Sequence, residues 1–184
     1  MSGRALLVDR DGTINEERNS IHEPGELALI PGSAAALARA RDDLGLEIVV
    51  VTNQAEIGRG NLTHDGLERI HDRLRAMLAT DGASIDAIET CPHRPEEGCA
   101  CRKPGVAMVV RAAERLAFEP AASFVVGDHE KDIAMGRAVG ATTILVRTGH
   151  GAEQEPLAGP LADHVADDLA GAVAIIANLI PQER

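Results

Sequence analysis

Aromatic side chains are almost missing from this 184-residue chain, which has two Phe and no Trp or Tyr. Stacking a base or a sugar on rings is therefore excluded as its main recognition device, and polar contacts must do more. Positive charge is scarce as well. Eighteen basic residues stand against 29 acidic ones, for a formal net charge of -11. Nucleic acid and anionic membrane surfaces call for the reverse, so neither is expected as a partner. A small phosphorylated substrate stays open, because a metal, a few local cations and backbone N–H groups suffice to hold one. Lysine occurs only at positions 103 and 131, and each stands out against an arginine background. No segment approaches the roughly 20 apolar residues of a membrane span, and the opening MSGRALLVD has too short an apolar run for a secretory signal. The expectation is a cytoplasmic monomer.

What the chain does have is 45% hydrophobic residues in regular order. That is enough for one compact domain over residues 1–184. Short apolar runs at 5–9, 47–52, 85–90, 123–128 and 142–147, with a weaker one at 164–166, read as strands. Between them, 33–44, 63–79, 106–117, 132–139 and 168–179 carry helical periodicity, with Thr63 placed to cap the second of these. Residues 53–61 read as loop, and the Gly, Pro and Glu-rich stretch 149–160 as a mobile one. Strands alternating with helices imply an α/β fold, a Rossmann-like doubly wound parallel sheet. In such sheets ligands sit beyond the carboxyl ends of the strands. That rule brings Asp9, Thr52 and Asp128, each ending a strand, to one edge.

Asp9 and Asp11 lie two residues apart in LLVDRDGTIN, with Gly12 free to turn the chain sharply away from the strand. Alone, the pattern reads more readily as a polar turn than as an active site. As a working pair, two partly desolvated carboxylates require a cation, and magnesium suits oxygen ligands that also face phosphate.

All three cysteines fall within CPHRPEEGCAC, where Cys91, His93, Cys99 and Cys101 make a Cys3His set fit for tetrahedral zinc. Free buried cysteines and a disulfide are the alternatives, the latter disfavoured in a reducing compartment. A closed four-ligand site would fold the loop 91–101 and thereby place Arg102 and Lys103.

With these residues in view, the chain resembles the haloacid dehalogenase superfamily of aspartate-nucleophile phosphotransferases over essentially its whole length. The residues that carry the resemblance are DRDGT at 9–13, Thr52 in VVVTNQ, Lys103 in CRKP and Asp128 in VVGDHEKD. The resemblance implies an aspartyl-phosphate on Asp9, acid and base work by Asp11, phosphoryl contacts from Thr52 and Lys103, and magnesium held by Asp9, Asp11 and Asp128, with Asp132 behind them. The zinc loop narrows it to the cap-less branch containing the D-glycero-D-manno-heptose-1,7-bisphosphate 7-phosphatase family and the histidinol-phosphate phosphatase domain. TNQAEIGRG at 52–60 is similar to the heptose family's TNQSGIARG, and LVRTG at 145–149 also fits it.

Carried over by position, substrate binding is implied for Arg10, Glu17, Arg18, Asn19, Ser20, Asn53, Gln54, Ala55, Arg102 and His129. Three features depart from the family: His129 itself, Ala55-Glu56 in place of Ser-Gly, and GVAM after RKP. The implied activity is that of a magnesium-dependent phosphoric monoester hydrolase acting on the 7-phosphate of a heptose bisphosphate. Histidinol phosphate is the alternative substrate, and a non-catalytic sugar-phosphate or protein-binding module the alternative class.

Overall fold

The computed structural model of the chain describes residues 3–180. Residues 1–2 and 181–184, which the expected domain extent includes, lie outside the described residues. Six strands form one sheet: β1 (Ala5–Val8), β2 (Glu47–Asn53), β3 (Ala87–Cys91), β4 (Phe124–Gly127), β5 (Thr142–Val146) and β6 (His164–Ala166). Their spatial order is β3-β2-β1-β4-β5-β6, and every neighbouring pair is parallel. The chain thus winds outward to one side through β2 and β3, then returns past β1 to build the other side. β1 lies at the switch point, where the connections on its two sides diverge and leave a crevice.

Strands buried on both faces need apolar residues at successive positions, and these have them. Leu6, Val8, Ile48, Val50, Val126 and Ile144 point to one layer, made by α1 (Ser33–Asp42), α3 (His64–Thr80) and α7 (Leu169–Leu179). Leu7, Val49, Val51 and Val125 point to the other, where Met108, Val109 and Ala112 of α4 (Ala107–Leu116) and Met135 of α5 (Glu130–Ala138) cover them. The longest connection near the site, 9–32, carries only a 3-10 turn at Pro24–Glu26. No helix among the described residues is long and apolar enough to cross a membrane.

Two expectations are corrected. The stretch 149–160 is not an irregular mobile loop, because Gly151–Ala158 forms a helix, α6, that includes Pro156. Its Glu155 is clamped by Arg147 at 2.7 and 2.8 Å. Pro156, in the second half of the segment, gave the misleading signal, but the helix includes it in its last turn. The loop expected at 53–61 also contains a helical turn, α2 (Ala55–Gly58). A smaller difference is that α5 starts at Glu130 rather than Asp132, because His129 caps it: the Asp132 side chain accepts from the His129 amide at 3.1 Å.

Candidate active site

Asp9 is the first residue past β1, and its amide still donates to Val126 O on β4 at 2.9 Å, so its position is fixed by the sheet. The chain then folds back on itself. The amides of Ile14 and Asn15 both donate to the Arg10 carbonyl, at 2.9 and 3.1 Å, closing a tight loop around the second aspartate. Gly12 makes this turn with φ of +82°, a region that disfavours side chains. A methyl there would also meet Asp128 Oδ2 at 2.1 Å, and one on Gly149 (φ +57°) would meet the same oxygen at 2.2 Å. The Asp128 carboxylate therefore lies in a slot that only two glycines leave open.

The two neighbouring carboxylates have opposite surroundings. Asp9 Oδ1 takes the Lys103 ammonium at 2.7 Å, and the same Nζ reaches Asp132 Oδ1 at 2.6 Å and Val51 O at 2.8 Å. Lys103 is almost wholly buried. Burial pushes the Asp9 carboxyl well above its ordinary value against the pull of Lys103, and the charges of Asp132 and Asp128 add to the rise. Burial likewise lifts Asp128 to about 6, although the His150 amide donates to it at 2.8 Å. Burial also acts on Asp11, but Arg10 overrides it: the guanidinium clasps both carboxylate oxygens at 2.8 to 3.1 Å. Asn15 and Gln54 each add a hydrogen bond of 2.9 Å, and Asp11 is held below the usual carboxylate range.

Carboxylate oxygens of Asp9, Asp128 and Asp132 come within 4.8 Å of one another. Three acids this close, two of them pushed up by burial, match a site built for a cation with oxygen preference. The Asp11 carboxylate, expected in this set, is turned away from it into the grip of Arg10, Asn15 and Gln54. Asp132, read from sequence as standing behind the ligands, instead belongs to the acidic cluster.

All ten expected substrate-binding residues line one cavity of about 500 Å³ that opens over Asp9. Thr52 lies beneath it, accepting from Gln54 Nε2 at 2.9 Å. Glu17 accepts from the Asn19 amide within the wall formed by 17–20. Asn53 receives the Lys103 amide at 3.0 Å, which ties the lysine to β2. Glu56, the acidic departure from the family stretch, pairs with Arg59 and accepts from Asn61 at 2.8 Å, so its charge is offset locally. His150, just before α6, and Gln154 within it also line the cavity and were missed, since they lie in the stretch read as mobile.

The cysteine loop closes as its spacing suggests. Sulfur and Nδ1 atoms of Cys91, His93, Cys99 and Cys101 make contacts of 3.1 to 3.6 Å. Edges of roughly 3.5 to 3.8 Å describe a tetrahedron around zinc with sulfur and nitrogen ligands, so the cluster is compatible with that ion. Burial, and next the hydrogen-bonded contact with the Cys101 thiol, push the Cys91 thiol up to about 12. Three thiols and an imidazole gathered at these distances are compatible with a metal ion. Arg102, next in sequence, donates to the His93 carbonyl at 3.2 Å and so links the loop to the cavity.

Carboxylates that repel one another at a switch point, bridged by a single lysine, suit the transfer of an anionic group under a cation's charge. On this strand order they define a hydrolase of the haloacid dehalogenase class. A family model described as haloacid dehalogenase hydrolase-like matches residues 100–172. The D-glycero-beta-D-manno-heptose-1,7-bisphosphate 7-phosphatase of Pseudomonas putida is 39% identical over 168 residues, 91% of this chain and 95% of the relative. The corresponding D-glycero-alpha-D-manno enzyme of Burkholderia mallei is 38% identical over 153 residues, 79% and 80% of the two chains. Among solved structures, D,D-heptose 1,7-bisphosphate phosphatase from Bordetella bronchiseptica, complexed with magnesium and phosphate, matches with TM-score 0.89 at 34% identity. That match covers 96% of this chain and 99% of the other. The chain belongs to the D-glycero-D-manno-heptose-1,7-bisphosphate 7-phosphatase family.

Proposed function

We propose that the protein hydrolyses the 7-phosphate of D-glycero-D-manno-heptose 1,7-bisphosphate through an aspartyl-phosphate on Asp9. The observation that carries this reading is the lysine bridge: Lys103 holds Asp9 from one side while Asp128 and Asp132 crowd it from another, at the floor of a cavity lined by polar loops. An Asp9 oxygen attacks phosphorus, and the bond from phosphorus to the sugar oxygen breaks. The negative charge of the entering phosphate opposes the pull of Arg10 and lets Asp11 enter the reaction protonated; it gives the departing alkoxide that proton, then takes one from the water that attacks the phosphoryl group, releasing inorganic phosphate and the free Asp9 carboxylate. Thr52 and Lys103 steady the phosphoryl oxygens. Magnesium would be held by Asp9 and Asp128, with Asp132 beside them, and would supply charge neutralisation for carboxylate and phosphate together.

The remaining cavity residues, Arg18, Asn19, Arg102 and His129 among them, are proposed to grip the sugar and its distal phosphate. The substrate choice rests on the named relatives and on TNQAEIGRG; turnover of heptose 1,7-bisphosphate, fructose 1,6-bisphosphate and histidinol phosphate with magnesium tests it. The heptose compound is expected to have the highest kcat/KM, and faster hydrolysis of histidinol phosphate would overturn the choice.

Zinc is proposed for the Cys91, His93, Cys99 and Cys101 cluster, in a structural role. Elemental analysis of the purified protein is expected to give about one zinc per chain, the content of a closed four-ligand site. Chelation should loosen the loop and weaken activity together; a zinc-free protein that is folded and fully active would overturn this assignment.

A further inference from the structure

Arg10 leads the large, fully buried side chains, at 1% exposure. Its Nε and Nη2 hold Asp11, which leaves Nη1 needing a partner away from water. That partner is Nε2 of His71, 3.3 Å away on α3. A guanidinium nitrogen can only donate, so Nε2 must carry the lone pair. His71 is then a neutral imidazole protonated at Nδ1, the nitrogen that faces Glu68 Oε2 at 3.7 Å. The groups around it agree with neutrality: burial, then the Arg10 charge, push its pKa down to about 4, with Arg75 helping and Glu68 and Asp11 opposing.

His71 occupies a buried place on the α3 face otherwise made by Leu67, Ile70, Leu74 and Leu78. Packing alone would be served there by leucine. What a leucine lacks is an acceptor. Three hydrogen bonds to Asp11 from Nε and Nη2 fix the two side chains relative to each other, and the fourth contact, at Nη1, anchors the pair to α3.

We infer that His71 is a positioning residue for the reaction: as a fixed neutral acceptor it locks Arg10, and through Arg10 it sets where the Asp11 carboxylate lies. The inference rests on the acid and base role proposed for Asp11. Proton delivery to the leaving group then depends on a helix residue that never meets the substrate.

Leaving-group dependence tests this. The sugar alkoxide needs a proton to depart, while p-nitrophenolate does not. His71→Leu is expected to lower the single-turnover cleavage rate of the heptose bisphosphate about 10- to 100-fold, with KM nearly unchanged and the single-turnover release of p-nitrophenolate from p-nitrophenyl phosphate within about threefold of wild type. His71→Gln, whose amide oxygen can accept from Nη1, is expected to recover the sugar phosphate rate to within about threefold. Equal losses on both substrates, or no loss on the sugar phosphate, would overturn the inference. Asp11→Asn, assayed alongside, separates the two claims. If it loses the sugar phosphate selectively and His71→Leu does not, only the role of His71 falls; if neither does, the acid role of Asp11 has failed. Should His71→Leu not fold, the wild-type protein still decides: a long-range proton–nitrogen NMR spectrum is expected to show His71 protonated at Nδ1, and a proton on Nε2 would overturn the inference.

Discussion

Asp9→Asn is expected to lower turnover by about 10⁴-fold or more while the fold persists, because the carboxylate proposed as the nucleophile has no substitute in the cavity. The amide is nearly the same shape, and its oxygen can accept from Lys103 as Oδ1 does at 2.7 Å. Lys103 keeps Asp132 and Val51 O as partners, so no buried cation is stranded. The wild-type Asp9 carboxylate is itself ionised at a cost, since burial raises its pKa. Thermal or urea unfolding should therefore differ from wild type by no more than about 1 kcal/mol, in either direction. Turnover with heptose bisphosphate and magnesium is the measurement. A variant retaining a tenth of wild-type activity would remove Asp9 as the nucleophile.

Lys103→Met should damage both activity and stability, and its pH dependence identifies the cause. The substitution keeps the bulk of the side chain and deletes the one cation that Asp9 and Asp132 share. Breaking a buried pair from one side costs about 3–5 kcal/mol when the stranded charge stays ionised. It need not stay ionised: the Asp9 carboxyl, already pushed up by burial, would rise further once the lysine is gone. A carboxyl whose folded pKa lies above its unfolded one stabilises the fold below the unfolded value, and that contribution is lost as pH rises through the folded pKa. The gap in stability between variant and wild type is thus widest at neutral pH and above, and closes as the pH falls towards about 4, the unfolded carboxylate value. Turnover should fall about 10²- to 10⁴-fold, in line with losing a preorganised charge at the phosphoryl group. Unfolding measured at pH 5 and pH 8 checks the first claim. An unchanged gap between them, or activity within tenfold of wild type, would contradict the role assigned to the lysine.

Much of this site could be read from sequence because its residues end strands. ALLVD and EIVVVT are apolar runs that must be buried on both faces, and a polar residue at the end of such a run has only the sheet edge to occupy. Asp9, Thr52 and Asp128 followed from that constraint, and the close spacing of CPHRPEEGCAC made its four ligand atoms near neighbours in advance. What sequence concealed depends on side-chain direction. Asp11 carries the same charge as Asp9, yet its neighbour Arg10 folds back onto it and turns it from the acidic cluster. Asp132 lies in the first turn of α5, which begins at Glu130, whereas the sequence reading had started the helix at Asp132 itself. His71 sits in an apolar helical stripe where one polar residue among Leu67, Ile70 and Leu74 was the available signal. The helix at Gly151–Ala158 was hidden by its proline and glycines, and with it His150 and Gln154.

The cavity walls arise from separate chain segments: 17–20 after β1, the turn at 54–59 after β2, Arg102 beside the cysteine loop, and His150 and Gln154 at the start of and within α6. None of these segments is a strand of the sheet, whereas Asp9, Thr52 and Asp128 are bound to strand ends. On the proposed roles, substrate preference and bond cleavage belong to different parts of the polypeptide, and the first can drift without touching the second. Relatives acting on either anomer of one sugar, as the Pseudomonas putida and Burkholderia mallei enzymes are named, are what such a separation allows.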